Sequence, residues 1–97
     1  MAAYYISSTS NTAVGGASES IAPTGLASGM IIEVTCTTAA GAWVNHQAGA
    51  ATVGGANCSY IPPGGFLVLV ATSATLNAIR ESATDASMTV SILGGNP

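Results

Sequence analysis

Val14-Gly15-Gly16-Ala17-Ser18-Glu19-Ser20-Ile21-Ala22-Pro23-Thr24-Gly25-Leu26 returns further along the chain as Val53-Gly54-Gly55-Ala56-Asn57-Cys58-Ser59-Tyr60-Ile61-Pro62-Pro63-Gly64-Gly65. Seven of these thirteen positions are identical: a valine, two glycines, an alanine, a serine, a proline and a glycine. An apolar run follows each copy, at residues 30–34 and again at 66–70. Glycine pairs break helices and mark loops, whereas a proline after a short strand ends pairing and opens a turn. Each copy therefore reads as loop, short strand, Pro-x-Gly turn and long strand. Repeated twice, the unit predicts two similar halves packed face to face, a weak internal repeat.

Outward from the repeat, threonine, valine and isoleucine dominate the apolar stretches, and turn signals recur about every ten residues, the spacing of a sandwich or barrel. The expected strands are 4–8, 19–22, 30–37, 42–47, 58–61, 66–71, 75–81 and 87–93. In the third, Met30, Ile32, Val34 and Cys36 share one face and Glu33, Thr35 and Thr37 the other. In the last, Met88, Val90 and Ile92 alternate with Thr89 and Ser91. The run Phe66-Leu67-Val68-Leu69-Val70 does not alternate, so it should be covered on both faces, inside the sandwich or at a subunit interface. The fold class that follows is all-β: a single eight-stranded β-sandwich of jelly-roll or Greek-key type. Residues 1–18 form a polar N-terminal arm or a first edge strand, and residues 19–97 the sandwich. A seven-stranded immunoglobulin-like sandwich is the runner-up, without the cysteine and tryptophan spacing of true immunoglobulin domains.

Composition narrows the function. Of 97 residues, 5% are charged and 48% hydrophobic; lysine is absent, Arg80 is the one arginine, and the acids are Glu19, Glu33, Glu81 and Asp85. Ordinary domains are about a quarter charged, so this surface lacks the repulsion that keeps small domains apart. Few ions must shed water when another protein packs on it, which suits a subunit of a large assembly. A net charge of −3 argues against nucleic acid and against an anionic membrane surface. The longest strongly apolar run falls far below the ~20 residues of a spanning helix. The first residues have no basic or apolar signal region, so synthesis and retention in a cytoplasm are expected. In that compartment Cys36 and Cys58 read as free buried thiols rather than a disulfide.

The chain offers little chemistry. Acid–base catalysis needs two ionisable groups held close, and only Glu81 and Asp85 approach each other in sequence, as solvated acids flanking a turn. His46 is the single histidine, which leaves no metal-ligand cluster at a recognised spacing and no nucleophilic dyad; it reads as a partly exposed strand residue. The glycine pairs match no phosphate-binding pattern. No catalytic, cofactor or metal residue is expected, and the chain is not read as an enzyme. Arg80 has two readings, a cross-sheet pair with Glu33 or a salt bridge to a neighbouring subunit. Tyr4, Tyr5, Trp43, Tyr60 and Phe66 are interface anchors or, alternatively, a stacking face for sugars.

Gly41-Ala42-Trp43-Val44, the alanine-rich loop at 50–53, Tyr60-Ile61-Pro62-Pro63-Gly64-Gly65, Leu76-Asn77-Ala78-Ile79 and Met88-Thr89-Val90-Ser91-Ile92 together resemble small virion proteins of tailed bacteriophages. The resemblance spans roughly residues 20–95. It implies a β-sandwich capsid decoration (cement) protein on the capsid surface of the virion. Its expected partners are the major capsid protein and copies of itself, with a homotrimer favoured. The alternatives are a neck or tail accessory protein, or a carbohydrate- or receptor-binding module of a tail or adhesin. This chain departs from that family in its near-absence of basic residues, so attachment must rest on apolar and backbone contacts.

Overall fold

The computed structural model describes residues 3–37 and 40–96. Among the described residues eight strands form: β1 (Ala3–Val14), β2 (Glu19–Ile21), β3 (Ile31–Cys36), β4 (Ala42–Asn45), β5 (Cys58–Ile61), β6 (Phe66–Val70), β7 (Leu76–Arg80) and β8 (Ala86–Asn96). They make two four-stranded sheets, ordered β1-β8-β3-β6 and β2-β7-β4-β5. These orders have a simple origin. β1 pairs with β8, β2 with β7, β3 with β6 and β4 with β5, all antiparallel. Ala3 faces Asn96, Glu19 faces Ala78, Ile31 faces Val70 and Ala42 faces Ile61, so every pair is centred near residue 50. The chain is thus one long antiparallel ribbon folded back at the β4–β5 loop. Rolling the ribbon sends successive strand pairs alternately to the two sheets, and β3·β8 and β4·β7 contacts join the turns of the roll. The result is a jelly roll, the sandwich that the strand pattern predicts.

The ribbon rolls because one of its faces is apolar. Ile32, Val34 and Cys36 of β3 and Met88, Val90 and Ile92 of β8 point inward, all buried. They meet Ile21, Ala42, Val44, Ile61, Leu76 and Ala78 from the second sheet. Burying one branched side chain contributes about 1.5–3 kcal/mol, so these rows supply the main drive to close the two sheets. From Ser87 to Ser91 the opposite row of β8 is polar, and it is tied laterally to β1: Thr9 Oγ1 lies 3.1 Å from Ser91 Oγ, and Thr89 donates to Asn11 Oδ1. Ser91 is buried on that outer surface by its neighbours in the sheet.

The repeat acquires a specific meaning. Leu26 N donates to Pro23 O at 3.0 Å and Gly65 N to Pro62 O at 2.8 Å, with Gly25 and Gly64 at φ of 86° and 75°. Both copies therefore close a four-residue turn whose third residue needs positive φ, which glycine adopts without a Cβ penalty. Both turns also carry the chain from the second sheet to the first, β2 to β3 and β5 to β6. The halves do not pack face to face, however. β3 and β6 lie side by side in one sheet, and β2 and β5 form the two edges of the other. Burial is also offset by one residue: Ile21 is buried where its counterpart Tyr60 is exposed, and Ile61 is buried where Ala22 is exposed. The duplication is one of corners, not of core.

Every expected strand is present, with the longest differences at the ends of the ribbon. β1 runs to Val14 rather than residue 8, and β8 spans Ala86–Asn96 rather than 87–93. The added β1 residues pair by backbone in a ladder whose inward positions include Ser10 and Thr12, opposite Val90 and Met88, so apolar alternation does not mark them. Of the residues 1–18 read as polar arm or edge strand, Ala3–Val14 form β1 at the edge of the first sheet, and residues 1–2 lie outside the described residues.

An added Cβ at Gly25 or Gly64 meets nothing within 4 Å. Gly25→Ala and Gly64→Ala should each cost about 1–2 kcal/mol from backbone strain alone, with additive shifts in chemical denaturation midpoints. Losses several-fold larger would mean that the corners hold more than a turn conformation.

Candidate functional site

The outer surface of the first sheet carries the most unusual feature of the molecule. In β6, Leu67 and Leu69 are half-buried against the core, while Phe66, Val68 and Val70 stand 62%, 54% and 56% exposed. The non-alternating run is therefore not covered on both faces in the single chain. It lies at the sheet edge, with one apolar row inward and a second apolar row facing water. Val68 and Val70 join Ile31, Leu93 and Ile6 around a groove of about 580 Å³, with Glu33 in its wall. Ile31 faces Val70 and Leu93, and Glu33 faces Val68 and Ser91, across the ladders.

Ile6 reaches this groove through a β-bulge. The β1·β8 register changes between Ile6, opposite Leu93, and Ser8, opposite Ile92. Ile92 points into the core and Leu93 away from it, so the extra residue turns Ile6 from the inner to the outer row. Its side chain is consequently 61% exposed.

The second sheet presents a different outer face. Trp43 of β4 faces Tyr60 on β5 and Ile79 on β7. The Trp43 and Tyr60 rings lie 5.5 Å apart between centroids at 45°. Trp43 Nε1 donates to Glu81 Oε2. Tyr60 lies over Gly41, where an added Cβ would collide with its ring and hydroxyl oxygen. Beside the rings, Asn45 Nδ2 donates to Ala50 O (2.9 Å) and Asn77 Nδ2 to Gly49 O (2.6 Å). Ser20 Oγ donates to Asn77 Oδ1 (2.8 Å). The polar groups of this face thus tie the β4–β5 loop back onto the sheet.

Trp43 and Tyr60 come together, whereas Phe66 sits on the opposite sheet. Tyr4 and Tyr5 belong to β1, opposite Gly95 and Gly94, and their side chains lie outside the described residues. Arg80 does not pair with Glu33, because β7 and β3 belong to different sheets. It binds Asp85 in the β7–β8 turn, at 2.5 Å from Nη1 to Oδ1. This exposed pair contributes at most about 1 kcal/mol. Cys36 and Cys58 are free, but only Cys36 is buried, its thiol donating to Ala40 O; Cys58 is half-buried on the second sheet. His46 follows β4 as the first residue of the loop, half-buried. Among the described residues no group of three or more His, Cys, Asp or Glu is placed to hold a metal ion.

Ile6, Ile31, Glu33 and Leu93 were not legible as parts of one surface. Val68 was, within a run too apolar for a half-exposed strand; the bulge that recruits Ile6 leaves no compositional trace. Comparison with protein-family models, curated proteins and solved structures finds no match to this chain.

Gly41→Ala should displace the Tyr60 ring and separate it from Trp43, at the 1–3 kcal/mol typical of overpacking. Near-ultraviolet circular dichroism and Trp43 fluorescence should both change while the far-ultraviolet spectrum stays that of the native sheet. An unaltered aromatic spectrum would place the two rings elsewhere.

Proposed function

We propose that this chain is a structural subunit of a bacteriophage virion, a capsid decoration protein that packs on the major capsid lattice and on copies of itself. One observation carries the reading. A row of exposed apolar side chains, Phe66, Val68 and Val70, runs beside Ile6, Ile31 and Leu93 in a chain whose charged residues make up 5%. Contiguous apolar surface on a small domain marks a contact site, and surfaces meant for permanent burial resemble a core cut in half. With no lysine and a single arginine already bound to Asp85, attachment through charge is poorly supported. Apolar and backbone contacts remain. The jelly roll suits the reading, since viral shells reuse this sandwich.

A second reading rests on the other sheet. Trp43 and Tyr60 form an outward aromatic pair beside Glu81, the arrangement by which lectin-like modules stack a sugar ring. The two readings use opposite faces and separate cleanly by mutation.

The gene should lie beside one for a major capsid protein, and the purified chain should co-sediment with shells of that protein. Val70→Asp should reduce this binding at least tenfold, whereas Trp43→Ala should leave it unchanged. A chain that stays in the supernatant overturns the proposal. Glycan binding abolished by Trp43→Ala would establish the second reading in its place.

A further inference from the structure

We infer that two copies of this chain join edge to edge through β6, in antiparallel register about a two-fold axis at Val68. The inference rests on the assembly reading above only in that the chain associates with itself; it adds the strand, the register and the symmetry.

The free edge is the first observation. β6 ends the β1-β8-β3-β6 order, and among the described residues no strand lies beyond it. Cys36 N donates to Gly65 O (3.0 Å) and Ala71 N to Met30 O (2.7 Å), which fixes the alternation of the β3·β6 ladder. Gly65 directs its carbonyl toward β3, its N–H being spent on Pro62 O, and by the same alternation Leu67, Leu69 and Ala71 direct both backbone groups to that side. Phe66, Val68 and Val70 therefore direct theirs to the open edge, where each offers one donor and one acceptor. Natural edges are blunted by lysine, proline, bulges or inward charges, and Phe66–Val70 contains none of these.

The second observation is self-complementarity. Read in either direction, Phe66-Leu67-Val68-Leu69-Val70 is the same pattern but for Phe against Val at its ends. Antiparallel pairing about Val68 sets Phe66 opposite the second copy's Val70, and Leu67 opposite its Leu69. Apolar then meets apolar on both faces of the strand. The residues with outward backbone groups fall opposite one another, so Phe66·Val70, Val68·Val68 and Val70·Phe66 each exchange two N–H···O bonds.

Charge distinguishes this contact from the obvious rival, two outer faces stacked on each other. Stacking would bring Glu33 under apolar cover with no cation to meet it, since the single arginine lies on the other sheet and holds Asp85. Edge pairing leaves Glu33 open to water. Its two copies then stand three strand spacings apart, roughly 14 Å, which exceeds the screening length of about 8 Å at physiological salt. The pairing also leaves the row of Phe66, Val68 and Val70 facing outward and merges two such rows into one wider apolar surface. Five residues a side bury less than the ~1,600 Å² of a standard interface, so the contact is reversible and depends on concentration.

The full chain in sedimentation velocity should shift from one copy toward two as its concentration rises into the high micromolar range. Val68→Lys, whose side chain points to water, should hold it at one copy with an unchanged melting temperature. Mild oxidation in a Cys58→Ser background should link two chains through Val68→Cys, because facing Cα atoms of a hydrogen-bonded pair stand about 5.5 Å apart. Phe66→Cys should not link, its two copies being separated by roughly four residues along the strands, or 13 Å. A chain that stays single at every concentration, an oligomer that ignores Val68→Lys, or equal cross-linking at both positions would each overturn the pairing. Shell binding that survives such a result would keep the assembly reading intact, and its loss with the pairing preserved would remove that reading alone.

Discussion

An antiparallel ribbon with one continuous apolar face cannot stay flat in water, and the rest of this molecule follows from that constraint. The ribbon is laid down by backbone pairing of β1 with β8, β2 with β7, β3 with β6 and β4 with β5. The inward rows on β3 and β8 must then find apolar cover, and the nearest cover is the next turn of the same ribbon. Rolling supplies it through Ile21, Val44, Ile61 and Leu76. Ala42 and Ala78, both fully buried, add little bulk where β4 lies against β7. The turns at Gly25 and Gly64 serve this roll at equivalent places, where the chain steps from the second sheet to the first. A corner fixed twice by the same local chemistry needs no matching core on either side of it, which is why the repeat persists in the turns and fails in the buried positions.

The two outer faces diverge because their polar groups are used differently. On the second sheet, Asn45, Asn77 and Ser20 are consumed in holding the β4–β5 loop, and Trp43 is held by Glu81. Groups already satisfied within the chain keep that face closed and well defined. On the first sheet, polar links run between β1 and β8, through Thr9 with Ser91 and Thr89 with Asn11. They stop short of β6, whose outer row is aliphatic and aromatic. The sheet is thus graded from a hydroxyl-rich edge at β1 to an apolar edge at β6. The chain has no lysine, and Phe66–Val70 carries no charge of its own to mask that second edge.

Much of this was readable from composition and spacing. Period-two alternation at Ile32, Val34 and Cys36 and at Met88, Val90 and Ile92 marks core rows, because pleating sends successive side chains to opposite faces regardless of what they meet. Gly-Gly and Pro-x-Gly mark the corners, since those residues set backbone angles locally. The excess of apolar residues in 66–70 marks a strand that water alone does not satisfy. Arg80 was harder, because its partner Asp85 lies five residues along the same hairpin, and a pair so local competes with the cross-sheet partner that charge counting suggests. Tyr60 and Ile21 occupy matching places in the repeat yet face opposite ways, as one residue of slip reverses every side chain in a strand.

The strands, the turns between them and the sandwich class are local properties of this chain, since they depend on dihedral preference and on alternation over a few residues. Which strands are neighbours, that β6 is an edge, and that Ile6, Ile31, Leu93 and Val68 form one groove around Glu33 emerge in the folded chain alone. Edge position and lateral neighbourhood arise from the roll of the whole ribbon. The bulge between Ile6 and Ser8 shifts a side chain across the sheet through pairing with residues more than eighty positions away. No local preference encodes a partner at that distance; it exists once both ends of the ribbon have met.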